Sequence, residues 1–297
     1  MPSVNVERSL VIGAPVERAF KLVRDFKTWP EWSPWLIADE EVAVVFENED
    51  CYSWKGKVCG EGKMEVTQVE EGAEIQYDLS FLKPFKSRAK VRMVFEKVEE
   101  GTQVSWVMDS KLPFFMFWVR RMLEGFVGMD YERGLNMLKD WVETENVPSR
   151  LSFEGKERGE GFVGVGLKRS VSMDGFECQM EEDFKVVREH FPSGLGFCVY
   201  YDWNVVKRQM IYLIGVLVDE DFSDEVPEGL ELVTAPELDL YVVKHQGPYR
   251  HLGNAWAAGI AHGRAKLFRH SKAFPPFEFY EDEDPESGMT KVCFPMK

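Results

Sequence analysis

The residue with the clearest capacity for chemistry in this sequence is Glu278, which lies in a stretch that is otherwise apolar and aromatic. Strand alternation places Glu278 and Tyr280 on one face, and Phe277 and Phe279 on the other. A carboxylate on an aromatic surface is costly to desolvate unless it is paired. Glu278 is therefore either a solvent-facing residue at a sheet edge or a pocket carboxylate. In a pocket it would recognise a cation or act as an acid or base.

An internal repeat sets Glu278 in a larger pattern. Segment 196–202 matches segment 276–282, so that Cys198 takes the position of Glu278, and Tyr200 that of Tyr280. In each copy a strand and a helix precede this segment and a further strand follows it. Two β-α-β-β units related by an approximate twofold are predicted, with a groove at their junction that Tyr200 and Tyr280 flank.

Other residues of this half are weaker candidates. Trp256 lies on the predicted second helix, where it is either a core residue or part of the site, and Tyr241 is a further candidate for ligand binding. The histidines lack the spacing of metal ligands on a helix face, so we expect them at the surface or in loops. The five cysteines lack zinc-site spacing and are expected to be reduced thiols. No metal or cofactor is predicted.

The N-terminal half shows the pattern of an α+β unit. A strand at 4–12 precedes a helix that opens at Pro15. Alternation and turn signals between 51 and 108 predict an antiparallel meander. Apolar residues spaced by three or four then predict a long helix; these are Leu123, Val127, Tyr131, Leu135, Leu138 and Val142. We expect a curved sheet wrapped around this C-terminal helix.

Aromatic residues are in surplus in this half, which has no histidine. Two interpretations stay open: ordinary core packing, or rings that line an apolar cavity between the sheet and the long helix. In the second interpretation, the cavity is lined by Tyr77, Trp106 and Phe126, and segment 114–118 forms a lid. Such a cavity would bind sterol-like, polyketide or acyl ligands mainly through burial.

The charge balance bears on partners and location. The net charge is −15, from 36 basic and 51 acidic residues, and both halves share the excess. Because a phosphate backbone attracts clustered Lys and Arg, nucleic acid is not expected as a direct partner. The most apolar run, 112–119, is eight residues, whereas a membrane span needs about 20. No signal peptide is recognised, and a cytoplasmic location is expected.

A polar stretch at 143–161, with Pro148 and several glycines, is predicted to be an interdomain linker. The predicted domains are therefore residues 1–147 and 156–297.

The first domain resembles the START-like superfamily, also called SRPBCC or polyketide-cyclase/dehydrase type. The resemblance covers about residues 3–145. It rests on the helix-opening segment 14–20, on segment 29–35 (WPEWSPW) and on segment 130–139 (DYERGLNMLK). It implies a helix-grip fold and a small-molecule site, but no particular ligand.

The second domain strongly resembles the GyrI-like effector-binding family, the ligand domain of AraC- and MerR-type multidrug regulators. Segments 241–253 (YVVKHQGPYRHLG), 275–280 (PPFEFY) and 292–296 (VCFPM) carry the resemblance, which covers about residues 156–297. It implies a pocket with aromatic walls and Glu278 as its central acid. In those regulators a helix-turn-helix precedes the domain, whereas here the START-like domain stands in that place, so a DNA-binding role is not expected.

Two functions follow as hypotheses. The first is a binding or sensor protein for hydrophobic or amphipathic organic ligands, in which Glu278 selects cations with help from neighbouring rings. The second is a detoxifying hydrolase of reactive electrophiles, with Glu278 as base or nucleophile and Tyr280 orienting the substrate. A protein partner such as gyrase is a third possibility, which no surface motif supports.

Overall fold

The computed structural model describes residues 3–111 and 118–297. The chain divides into two compact units, Met1–Pro148 and Ser149–Lys297. Each combines one antiparallel sheet with helices, so the predicted α+β class is confirmed.

The N-terminal unit begins with β1 (Ser3–Ile12), α1 (Val16–Arg24), α2 (Trp29–Trp32), β2 (Ala43–Asn48) and β3 (Cys51–Lys55). It continues with β4 (Glu61–Glu70), β5 (Glu74–Lys83), β6 (Ser87–Val98), β7 (Gly101–Lys111) and α3 (Arg120–Thr144). The sheet order is β1-β7-β6-β5-β4-β3-β2, in which consecutive strands from β2 to β7 are neighbours and β1 closes onto β7. This is the predicted meander, with the first strand added at its end.

The core of this unit lies between the sheet and α3. On β5, Ile75, Tyr77 and Leu79 are buried at alternate positions, which is the period of a strand with one apolar face. On α3 the predicted stripe is buried from Tyr131 onward, whereas Leu123 and the residues near it are only partly buried. The helix therefore packs tightly along its second half and more loosely along its first.

The C-terminal unit begins with β8 (Arg150–Gly159), β9 (Phe162–Ser172), α4 (Phe176–His190), β10 (Gly196–Asn204) and β11 (Gln209–Val218). It continues with β12 (Glu231–Ala235), β13 (Leu238–Gln246), α5 (Gly253–Arg264), β14 (Phe277–Tyr280) and β15 (Met289–Pro295). The eight strands have the order β12-β9-β11-β10-β14-β15-β13-β8.

This order contains the predicted repeat. The triplets β9-β11-β10 and β14-β15-β13 mirror each other about the pair β10–β14, so the two β-α-β-β units meet at the centre of the sheet. Helix α4 packs against β9 and β11, and α5 packs against β13 and β15. The other face buries a separate apolar cluster with Phe162, Phe197 and Phe277 at its centre.

The two edge strands of this sheet show that part of the predicted linker is a strand. β8 precedes the first repeat but pairs with β13 of the second, and β12 precedes the second repeat but pairs with β9 of the first. Each repeat thus supplies the edge strand of the other. The segment 143–161 was predicted to be a linker, but residues 150–159 of it form β8.

Within residues 3–111 and 118–297, no helix is long and apolar enough to cross a membrane.

Two glycines on α3 offer a matched test of how closely this helix approaches its neighbours. A Cβ at Gly134 would lie 2.7 Å from a ring carbon of Trp106 and 3.2 Å from Pro34, and neither can move freely. A Cβ at Gly128 would meet only the guanidinium end of Arg8, which is flexible. Alanine is favoured over glycine in a helix by about 0.5–1 kcal/mol, whereas overpacking a core costs about 1–3 kcal/mol.

We therefore expect Gly134→Ala to lower the free energy of unfolding by about 1–2 kcal/mol and Gly128→Ala to leave it unchanged or raise it slightly. Urea unfolding followed by tryptophan fluorescence reports on this unit, because seven of the nine tryptophans lie in residues 1–148. Equal effects of the two substitutions would show that the contact with Trp106 does not limit the packing of α3.

Candidate functional site

Glu278 lies in β14, at the centre of the eight-stranded sheet. Its strand is flanked by β10 and β15, and its side chain is only 1% exposed. The sheet-edge alternative is therefore excluded. Cys198 of β10 is its direct cross-strand partner, so the two matched positions of the repeat face each other. Phe277 and Phe279 belong to the apolar cluster on the opposite face, as alternation predicted.

Three neutral donors hold the Glu278 carboxylate. The Trp256 indole N–H donates to Oε1. The hydroxyls of Tyr200 and Tyr280 both donate to Oε2, each at 3.0 Å. Among the residues that the structure describes, no Lys, Arg or His forms an ion pair with this carboxylate. The charge of an ionised Glu278 would therefore be spread over hydrogen bonds and not be cancelled by a cation.

Burial dominates the electrostatics of the site. It raises the pKa of Glu278, and the three hydrogen bonds oppose this rise only in part. Burial, with the negative charge of Glu278 beside it, also raises the pKa of the Cys198 thiol well above its usual range. Cys198 is therefore a protonated, apolar neighbour at neutral pH, and Glu278 is the group at the centre of the site that can change its charge.

A close contact between helix and sheet positions Trp256. At Gly259, one turn further along α5, the ring of Phe294 on β15 occupies the space that a Cβ would fill. Trp256 packs edge-on against the same ring at 5.3 Å. The helix can therefore lie close enough to the sheet for its indole to reach Glu278. The sequence left Trp256 open between core and site, and in the structure it is a core residue that also hydrogen-bonds to the carboxylate.

A β-bulge adds a ring that the sequence analysis missed. The β10–β11 register shifts between Tyr200 and Asp202, which brings Trp203 onto the face of Tyr200 although it is three residues away. Trp203 and Tyr200 pack edge-on against Trp256 at 5.8 and 4.8 Å. Both are partly exposed, whereas Trp256 is buried. A chain of rings thus connects the surface to Glu278.

Rings also enclose the other side of the site. Tyr280 packs against Phe184 of α4 at 6.0 Å and against Tyr249 at 5.8 Å. Glu278 is consequently surrounded by aromatic side chains from both repeats, in a region where the helices and the sheet meet.

Tyr241, in contrast, is engaged elsewhere. Its hydroxyl is hydrogen-bonded to Nδ1 of His262 at 2.6 Å, and its ring stacks on Phe268 at 4.3 Å. Its contacts are those of the core between α5 and the sheet. The structure therefore does not bring Tyr241 to the carboxylate with Tyr200, Tyr280 and Trp256.

The expectation that the histidines lie at the surface or in loops is wrong for three of them. His245, His251 and His262 are buried, whereas His190 and His270 are exposed. Burial lowers the pKa of His245 to about 4, so this ring is neutral at physiological pH. Within residues 3–111 and 118–297, no group of three or more His, Cys, Asp or Glu side chains is placed to hold a metal ion.

In the N-terminal unit, Tyr77 and Trp106 are fully buried among other rings. Trp106 stacks on Tyr131 of α3 at 4.3 Å and contacts Trp29 edge-on at 5.8 Å. These contacts are those of a packed core. Phe126 is partly buried on the looser half of α3. Of the suggested lid, 114–117 lie outside the described residues, and Trp118 is exposed.

Comparisons with known families agree with the division of the chain into two units. Residues 3–143 match the family described as polyketide cyclase / dehydrase and lipid transport. Residues 174–297 match the GyrI-like small molecule binding domain. No curated protein matches the chain.

Solved structures are similar to parts of this chain at low sequence identity. TTHA0849 from Thermus thermophilus is 23% identical and covers 48% of this chain and 99% of its own, with a TM-score of 0.36. The di-domain ARO/CYC StfQ from the steffimycin biosynthetic pathway is 14% identical over 48% of this chain and 51% of its own, with a TM-score of 0.40. The EcmrR C-terminal domain is 16% identical over 50% of this chain and 98% of its own, with a TM-score of 0.39.

The chain thus joins two domains: residues 3–143 match the polyketide cyclase / dehydrase and lipid transport family, and residues 174–297 match the GyrI-like small molecule binding domain.

Proposed function

We propose that the C-terminal unit binds an apolar organic cation and that Glu278 supplies the counter-charge. The observation that carries this proposal is a fully buried carboxylate whose three partners are all neutral donors. An ionised carboxylate in apolar surroundings is costly, and a ligand cation would offset that cost directly. A neutral ligand of the same shape would gain no charge pairing with Glu278.

The hydrogen-bond arrangement leaves the Glu278 carboxylate able to accept one more donor. A carboxylate can accept about four hydrogen bonds, two at each oxygen. Among the described residues, Oε2 accepts from Tyr200 and Tyr280, whereas Oε1 accepts only from Trp256. A ligand N–H group could donate to Oε1, and a quaternary ammonium could approach it through charge alone.

The surrounding rings support the choice of an organic cation over a metal ion or a small hydrated ion. Aromatic faces attract cations and tolerate apolar substituents, which is the recognition mode of aromatic cages for quaternary ammonium groups. Tyr200 and Trp203 are the partly exposed rings nearest to Trp256. We place the entry route on this side, where movement of these rings would open the way to the carboxylate.

For the N-terminal unit we propose a separate site for an apolar ligand, between the sheet and the first half of α3. The support is the difference in packing along this helix. Leu123, Phe126 and Val127 are partly buried, whereas the residues from Tyr131 onward are closely packed. The family description, which includes lipid transport and polyketide cyclisation, favours a ligand that binds mainly by burial.

Replacement of Glu278 by glutamine provides the first test of the cation site. Glutamine keeps the size of the side chain and an oxygen acceptor but removes the charge. We expect Glu278→Gln to weaken tetraphenylphosphonium binding by about tenfold or more, because the lost pairing is worth at least ~1.4 kcal/mol. Binding of neutral triphenylphosphine oxide should change by no more than about twofold. Isothermal titration calorimetry measures both.

The matched control is Glu154→Gln, which removes the same formal charge from an exposed side chain of the same unit. It should leave both affinities unchanged. If Glu278→Gln weakens both ligands equally, the carboxylate shapes the site but does not select for charge.

A second prediction concerns pH. The raised pKa of Glu278 means that protonation begins at a higher pH than for an ordinary glutamate, whose pKa is about 4.5. Tetraphenylphosphonium stays charged at every pH, so its affinity should fall on acidification, beginning above pH 4.5. In Glu278→Gln the affinity should not depend on pH over this range. A wild-type profile as flat as that of the variant would contradict the assignment.

The raised pKa of Glu278 also favours a second candidate function, hydrolysis of a strained electrophile such as an epoxide. In this reaction the carboxylate takes a proton from water, and the oxygen of that water bonds to one epoxide carbon as the C–O bond of the ring breaks. The protonated carboxyl then returns the proton to the released oxygen, which gives a diol. Styrene oxide is a suitable probe. Hydrolysis of many equivalents per chain, abolished by Glu278→Gln, would show catalysis. A protein without turnover that still binds tetraphenylphosphonium is a binding protein only.

A further inference from the structure

One end of the N-terminal unit combines exposed apolar side chains with a local excess of cations. It consists of the β5–β6 hairpin, residues 82–88, and the start of α3, residues 120–122. We call it the apolar-basic end.

The topology places these two segments at the same end of the unit. The first residues of β6 pair with the last residues of β7, and β7 ends beside Ser3 of β1. Helix α3 runs in the same direction as β1, because Glu132 pairs with Arg8 at 2.5 Å and, further along both elements, Glu143 accepts a hydrogen bond from the Gly13 N–H at 2.6 Å. The N-terminus of α3 therefore lies at the Ser3 end of the sheet, where the hairpin also lies.

The apolar side chains of this end are unusually exposed. Phe85 is 81% exposed and Leu82 is 50% exposed, both on the hairpin, and Met122 of α3 is also exposed. Fully burying one such side chain is worth about 1.5–3 kcal/mol. A cluster of exposed apolar residues at one place marks an interaction surface more often than isolated ones do.

The charge of the hairpin is opposite to that of the chain. Residues 81–90 contain Lys83, Lys86, Arg88 and Lys90 and no acidic residue, whereas the chain has a net charge of −15. Lys83 and Lys90 form ion pairs with residues on neighbouring strands. Lys86 and Arg88 are exposed and form no ion pair with any residue that the structure describes. This end can therefore attract an anionic surface that the rest of the chain would repel.

We propose that the apolar-basic end docks onto the surface of a lipid bilayer that contains anionic lipids. Phe85 and Leu82 would enter the interfacial region, and Lys86, Arg88 and Arg121 would lie at the level of the phosphates. A bilayer interface accepts both kinds of side chain at once. Nucleic acid would use the cations but offers no apolar phase for Leu82 and Phe85. The overall negative charge would keep the remaining surface away from the membrane and so orient the unit.

The test is sedimentation of the full chain with vesicles of phosphatidylcholine alone or mixed with phosphatidylglycerol. We expect binding to the mixed vesicles, weaker binding at high salt, and little binding to phosphatidylcholine alone. Phe85→Ser should weaken binding to the mixed vesicles by about tenfold or more. The double substitution Lys86→Glu with Arg88→Glu should remove the preference for phosphatidylglycerol. Because these side chains are exposed, the melting temperature should be unchanged in both variants.

Leu232→Ser is the matched control, since Leu232 is 49% exposed but belongs to the C-terminal unit. It should leave vesicle binding unaffected. Failure of the wild-type chain to bind the mixed vesicles would overturn the proposal. So would binding that Phe85→Ser and the charge-reversal variant do not change, because another surface would then be responsible.

Discussion

The C-terminal unit is organised around one costly group, the desolvated carboxylate of Glu278. Its charged form is tolerated only because three separate elements supply donors: Trp256 from α5, Tyr200 from β10 and Tyr280 from β14 itself. Charge-assisted hydrogen bonds of this kind are stronger than those between neutral groups, but they do not neutralise the charge. An ionised Glu278 would therefore leave an excess of negative potential within an aromatic enclosure. That excess distinguishes it from an ordinary hydrophobic core, in which a satisfied carboxylate would be paired with a basic side chain.

Short-range patterns predicted the parts of this arrangement that depend on the strand period alone. Alternation placed Glu278 and Tyr280 opposite Phe277 and Phe279, because successive side chains of a strand always point to opposite faces. The internal repeat predicted that two similar units meet, and the sheet order confirms it. The same regularity predicted the N-terminal meander and the long helix after it. In each case a local rule, repeated over many residues, was sufficient.

The remaining features arise from contacts between distant segments. Trp256 reaches the carboxylate because Gly259 allows close approach to Phe294, which no pattern within the helix reveals. Trp203 joins the site through a bulge that reverses the alternation after Tyr200. Strand β8 was taken for a linker because most of its side chains are polar and none is fully buried, which is typical of an edge strand. The buried histidines were missed for a similar reason: sequence spacing tests for metal binding but says nothing about which rings the fold encloses.

The position at which the repeat departs from symmetry also has a physical reason. Cys198 and Glu278 face each other directly across β10 and β14, where cross-strand Cβ atoms lie about 4.5–5.5 Å apart. Two carboxylates at that separation, both removed from water, could not ionise together, so one proton would be shared and the net charge of the site would stay near −1. A second acid would therefore add desolvation cost without adding usable charge. A thiol fills the matched position, and burial keeps it protonated. A pseudo-twofold sheet can thus surround the site with aromatic side chains from both repeats and still place a single carboxylate in it.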